Sequence, residues 1–130
     1  MKNLPALVLI ALITIAAAGC VRTMPVYNVS SAPVAAPSGQ LSAAQVRGAI
    51  IEALHDKGWI VREDNPGKIV ADILVRTHRA GVAIDYSPTQ YSISYKDSEN
   101  LLYDGSEIHR NYNKWIMLLE RQINQGLSEA

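Results

Sequence analysis

"KIVADILVRTHR", residues 68–79, sets the architecture of this chain. Its odd positions read Ile69, Ala71, Ile73, Val75 and Thr77, and its even positions read Lys68, Val70, Asp72, Leu74, Arg76 and His78. Side chains alternate between the two faces of a strand, so one face here is apolar and the other mixed. That pattern belongs to an antiparallel sheet covered on one side only. Before it stands "DNPG", 64–67, a turn with Pro and Gly in fitting places, and before that "WIVRE", 59–63, reads as a first strand. A turn at His78–Gly81 leads to "GVAIDY", 81–86, with Val82, Ile84 and Tyr86 on one face. "SPTQ" turns the chain again, and "YSISYK", 91–96, alternates strictly as a fourth strand: Tyr91, Ile93 and Tyr95 against Ser92, Ser94 and Lys96.

Helical spacing flanks these strands. In "LSAAQVRGAIIEALHDKGW", 41–59, Ser42 and Gln45 form a capping box, and Leu41 can staple onto Val46. Val46, Ala49, Ile50, Ala53 and Leu54 recur on one helix face, and Gly58 fits the residue just past the end. A second helix is expected from about Ser106 to Gln125, capped by Asp104 or Ser106 and ended by Gly126. Its stripe is Ile108, Tyr112, Trp115, Ile116, Leu119 and Ile123, with Asn111 and Lys114 facing water. The element order α-β-β-β-β-α predicts an α+β fold. It is a two-layer sandwich, a four-stranded antiparallel meander with both helices on one face, over residues 41–127.

The N-terminus is of another kind. Met1–Asn3 carries one positive charge, and "LPALVLIALITIA", 4–16, is an apolar run of about 13 residues, the length of a signal h-region and short for a bilayer span. "AAGC", 17–20, follows and holds the single cysteine of the 130 residues. A lone cysteine makes no internal disulfide, so the domain must stand on core packing. "VRTMPVYNVSSAPVAAPSGQ", 21–40, lacks either periodicity and carries Pro25, Pro33 and Pro37. It reads as a disordered tether, spanning roughly 25 Å on average. The competing reading of "VYNV", 26–29, is a short docking strand.

"AAGC" resembles the lipobox of bacterial lipoproteins. The resemblance implies cleavage before Cys20, a diacylglyceryl group on its thiol, and acylation (palmitate among the chains) of the new N-terminus. Gly19, Cys20 and Ala18 fit that pattern, whereas Ala17 stands where leucine is commoner. Val21 is not the aspartate that retains such proteins in the inner membrane of enteric-type bacteria, which points to the outer membrane. A plain secretory signal and a retained membrane helix are the alternatives. The stretches "GWIVREDNPGKIVADI", "YSISYKDS" and "IHRNYNKWI" also resemble a family of small proteobacterial lipoproteins of unknown function, which implies a fold and no activity.

The rest of the sequence argues for binding rather than catalysis. Net charge is zero, without the basic footprint of a nucleic-acid partner. His55, His78 and His109 lie far apart, with no partner at metal-ligand spacing, so neither metal nor cofactor is expected. No nucleophile elbow or phosphate loop appears. A catalytic dyad assembled across strands, for instance Asp72 with His78 or Asp85, is left open. If both helices cover the other face, Val70 and Leu74 stand exposed among Asp72 and Arg76, a candidate partner surface. Scattered apolar residues on an open sheet are also ordinary. A groove lined by Tyr86, Tyr91, Tyr95, Tyr103 and Tyr112 would instead suit a small ligand or glycan. The expectation is a non-enzymatic envelope lipoprotein, anchored through Cys20 at the periplasmic face of the outer membrane, that binds an envelope protein.

Overall fold

The computed structural model describes residues 22–130; the leader 1–19, Cys20 and Val21 lie outside the described residues. The elements in chain order are β1 (Thr23–Pro25), β2 (Val29–Pro33), α1 (Ala43–Asp56), β3 (Ile60–Asn65), β4 (Lys68–Val75), β5 (His78–Tyr86), β6 (Gln90–Glu99), β7 (Glu107–His109) and α2 (Arg110–Glu129). The fold is α+β, with a five-stranded antiparallel sheet of order β2-β6-β5-β4-β3 and a separate pair, β1-β7. Sequence reasoning expected four strands. The fifth is β2, on the free edge of β6.

Local chemistry accounts for most of these elements. The capping box forms: the Ser42 amide donates to Gln45 Oε1 at 2.9 Å, and the Gln45 amide donates to Ser42 Oγ at 3.1 Å. Helix α1 ends in a Schellman motif at Gly58, φ 83°, where the Trp59 amide donates to the Leu54 carbonyl at 2.8 Å and the Gly58 amide to His55 at 3.1 Å. Pro66 and Gly67, φ 79°, join β3 to β4 as a two-residue turn. The next turn sits at Arg76–Thr77 rather than at His78–Gly81. Arg76 takes a positive φ of 58°, and β5 pairs with β4 as far as Val75↔His78.

One core holds both layers. Ile69, Ala71 and Ile73 of β4 and Val82 and Ile84 of β5 are buried together with Val46, Ile50 and Leu54 of α1 and Ile116, Leu119 and Ile123 of α2. The two helices therefore lie on one sheet face. Gly126 does not end α2; it lies in the last turns, where an added Cβ would stand 3.5 Å from Ala49 Cβ. A single methyl group would make ordinary contact there, and a larger side chain would not fit. Helix α2 also starts later than expected. Asp104 Oδ1 accepts from the amides of Ser106 (2.9 Å) and Glu107 (2.7 Å), which caps a turn, and residues 107–109 pair with β1. His109 is the N-cap, its Nδ1 accepting from the Asn111 amide at 3.1 Å.

The largest departure is residues 22–40, expected as a disordered tether. The segment is laid along the domain. Val29 is buried and pairs with Ile93, and Pro25 and Pro33 stand at strand ends, where a missing N–H is tolerated. Asn113, buried on α2, accepts the Tyr27 amide at 2.9 Å and donates to the Pro25 carbonyl at 2.9 Å. Tyr27 Oη donates to Glu120 at 2.8 Å, Asn28 Oδ1 accepts from the Tyr95 amide at 3.0 Å, and the Val34 amide donates to Thr89 at 2.9 Å. Residues 22–40 thus belong to the folded body together with 41–127.

Candidate functional site: the open sheet face and its loop-bearing end

The four residues expected to form a partner surface do not share one exposure. Val70 is buried, lying between Glu63 and Ala83 in register, so it cannot offer an apolar contact. Asp72 is half-buried. Leu74 is 67% exposed, and Arg76 is the exposed first residue of the β4–β5 turn. Only the tip of the expected surface therefore faces solvent.

The middle of the open face is a charge network. Asp72, Gly81 and Asp97 lie in register across β4, β5 and β6. Because Gly81 carries no side chain, both carboxylates lean toward the space above it, and an added Cβ would meet Asp97 Oδ1 and Asp72 Oδ1. Arg79 is two residues back on the same face. Its Nη1 is 3.3 Å from Asp72 Oδ1, its Nη2 3.0 Å from Asp97 Oδ1 and its Nε 3.6 Å from Glu99 Oε1. Arg62 Nε approaches Asp72 Oδ2 at 3.3 Å. Partial burial acts to lower the Arg79 pKa, but the Asp97, Asp72 and Glu99 carboxylates outweigh it and raise it. Both aspartates face the same cation.

The cross-strand pairings of Asp72 with His78 or Asp85 that the sequence left open are not in register. Asp72 is opposite Gly81, whereas Asp85 is opposite Lys68 and His78 opposite Val75. Register places both partners away from Asp72. Asp64 lies beside Glu63 in sequence. Asp64 forms an ion pair with Arg47, whose hydrogen bonds hold the carboxyl below its ordinary range. Among the described residues no three His, Asp or Glu side chains gather as a metal site.

The tyrosines do not line a common groove. Tyr91 and Tyr112 are fully buried. Tyr91 Oη donates to Asn124 Oδ1 at 2.6 Å, and Tyr95 stacks on Tyr103 at 4.2 Å and meets Tyr112 edge-on at 5.7 Å. Tyr86 lies apart, in a hollow of about 420 Å³ shared with Arg47, Asp64 and Pro66. A second hollow of about 430 Å³ runs between α1 and α2 past Ala49, Gln122 and Gly126. A third, of about 670 Å³, is framed by Val34, Pro37, Leu41 and Pro88.

What sequence reasoning missed is the loop-bearing end of the sheet. There His78 and His109, 31 positions apart by number, bring their rings to 6.5 Å in a stacked arrangement. His78 Nδ1 contacts the Asn100 carbonyl at 2.6 Å, and Asn100 Nδ2 donates to Thr77 Oγ1 at 2.8 Å. The β4–β5 turn, the 100–106 loop and β7 are thereby tied together. The Arg110 amide donates to the Arg22 carbonyl at 2.9 Å, so Arg22, the first described residue, sits at this same end. No local signal marks this gathering, since each contact crosses elements distant in sequence.

The chain was compared with models of known protein families, with curated proteins and with solved structures, and none of them matches it. None of the helices among the described residues is long and apolar enough to cross a membrane.

Proposed function

We propose that this protein is a lipid-anchored lipoprotein of the bacterial cell envelope, held at the periplasmic face of the outer membrane through Cys20, whose domain binds an envelope protein and does not catalyse a reaction. The observation that carries the anchor is the leader itself: one basic residue, an apolar run at 4–16, then "AAGC" with the chain's single cysteine. Dual or triple acylation suits the chemistry, since lasting attachment takes at least two chains. Support for binding comes from the sheet. One face is left uncovered by the helices, and its centre is a fixed array of opposite charges around Gly81. Such arrays orient a charged partner and select against wrong ones.

The anchor is tested by intact mass. The wild-type protein is expected at the mass of residues 20–130 plus a diacylglyceryl group. Cys20→Ala is expected to accumulate as an unmodified precursor. An unmodified wild-type protein would defeat the reading. Binding is tested in cells with a photoreactive residue at position 62, on the open face, and a control at position 52 on α1. A discrete protein adduct from 62 alone is the expected result, and no adduct there would remove this face from consideration.

A further inference from the structure

We infer that the loop-bearing end of the domain, with Met24, Leu74, Val75, Leu102 and Tyr103, rests on the bilayer that holds the acylated Cys20. The inference depends on the lipoprotein reading and adds to it the orientation of the domain and the lipid surface as its second contact.

The chain length forces the domain close. Arg22 is pinned by the Arg110 amide, and only Val21 separates it from Cys20. An extended chain advances about 3.3–3.6 Å per residue, so the Cys20 and Arg22 Cα atoms lie within roughly 7 Å of each other. With acyl chains in the hydrocarbon, the end that carries Arg22 meets the headgroups. A free tether of 20 residues would have left the orientation open; the ordered segment 22–34 removes that freedom.

The exposed apolar side chains agree. Leu74 is 67% exposed, Leu102 56%, Met24 47%, Tyr103 42% and Val75 36%. All five stand on elements that meet at this end: the end of β4, the 100–106 loop and β1. The other two large exposed apolar residues are Ile60, at the start of β3, and Met117, in the second turn of α2. None of the described residues in this set lies at the opposite end, where Pro66–Gly67 and Pro88 turn the chain.

The backbone here also adopts conformations that folding alone does not favour. Leu102 has φ 58°, Asn100 57° and Arg76 58°. For leucine and arginine the left-handed region is strained, and Leu102 is exposed as well. Strained residues persist where the surroundings hold them, and they cluster at functional surfaces. Arg22, Arg76 and Arg110 stand at this end against Glu99, Asp104 and Glu107, so net charge gives no pull toward anionic lipid. The contact is therefore apolar, with leucine, methionine and tyrosine entering the interface and arginine heads staying at the phosphates.

The test uses the acylated full-length protein in vesicles of phosphatidylethanolamine and phosphatidylglycerol. Acylation blocks the Cys20 thiol, so Leu102→Cys, Leu74→Cys and Lys68→Cys each leave one site for an environment-sensitive fluorophore. Lys68 reports on the far end, and Leu74 keeps the test independent of how the 100–106 loop tolerates its label. Labels at 102 and 74 are expected to shift to the blue and lose emission to quenchers at headgroup depth, with little response to added salt. The label at 68 is expected to do neither. Flotation with the vesicles without quenching at 102 and 74, or with quenching at one of them alone, overturns the docked orientation and leaves the anchor intact. A protein without the acyl mass, which does not float, overturns the anchor and this inference with it.

Discussion

Asn113 treats Tyr27 as a strand neighbour: its side-chain amide accepts the Tyr27 N–H and donates to the Pro25 carbonyl, both at 2.9 Å. One buried side chain on α2 thus satisfies the backbone of the segment between β1 and β2, where no ladder does so.

Asn113→Ala removes both bonds and leaves two backbone groups unpaired in a partly buried place. The expected cost is about 2–3 kcal/mol. Urea denaturation gives the loss, and hydrogen exchange should show the Tyr27 amide deprotected before the amides of β4 and β5. A cost under about 0.5 kcal/mol would mean that water replaces the clamp.

Val29 anchors the edge strand in the core and is opposite Ile93. Val29→Ala should destabilise by about 2 kcal/mol, counting lost methyl burial and the cavity left behind. A chain beginning at residue 41 should lose more, and its unfolding transition should broaden or vanish in circular dichroism. A sharp transition of unchanged midpoint in that shortened chain would contradict the placement of β2.

Tyr112 Oη is buried without a hydrogen-bond partner. Tyr112→Phe deletes the orphan group and keeps the ring against Tyr95, so stability should stay level or rise by up to about 1 kcal/mol. Burial raises the Tyr112 pKa above the ordinary 10.0, and burial with the Glu120 charge raises that of Tyr91. Above pH 10.0 the unfolded chain therefore loses these protons while the folded chain keeps them. The unfolded state then binds fewer protons, and stability falls as pH rises, by about 1.4 kcal/mol per pH unit for each tyrosine. Tyr112→Phe should remove its own share of that alkaline slope, about 1.4 kcal/mol per pH unit. Denaturation midpoints across pH 9–12 (about that window) test it, and an unchanged slope would place the hydroxyl in contact with water.

Gly126 faces Ala49 across the helix pair with room for one methyl group. Gly126→Ala should stabilise by about 0.5–1 kcal/mol through helix propensity, because the new Cβ makes ordinary contact at 3.5 Å. Gly126→Leu should destabilise by about 1–3 kcal/mol by forcing α1 and α2 apart. The pair of thermal midpoints separates propensity from packing; a rise with both would show that the approach of the helices is not close, and a fall with both that it leaves no room for a methyl group.

Short-range chemistry was legible in the residues. Ser42 and Gln45 cap a helix wherever it is placed, Gly58 takes a positive φ that other residues resist, and Pro66–Gly67 turns a hairpin. Period two in 68–75 separates Ile69, Ala71 and Ile73 from Asp72 and Leu74 whatever lies on either side. These features depend on bonds within a few positions, and the α+β layering follows from them.

Of the four residues expected on an open surface, Leu74 and Arg76 are exposed, Asp72 is half-buried and Val70 is buried. Val70 has the same place in the alternation as Leu74, and yet it is buried, because exposure on an open face depends on which neighbouring strands flank it. Residues 22–40 read as tether because Pro, Ser and Ala carry no periodicity, while the groups that hold them, Asn113, Tyr95 and Thr89, stand 55 to 86 positions away by number. Likewise β7 forms only because β1 is there to pair with it, and it delays α2 to Arg110. Local pattern settled α1 with its caps, the Pro66–Gly67 turn and the buried face of β4, since those energies are spent within a turn or a hairpin. Long-range pairing settled the fifth strand, the place of Arg22 and the gathering of one apolar end, since a backbone donor accepts whatever partner the finished fold brings within 3 Å or so.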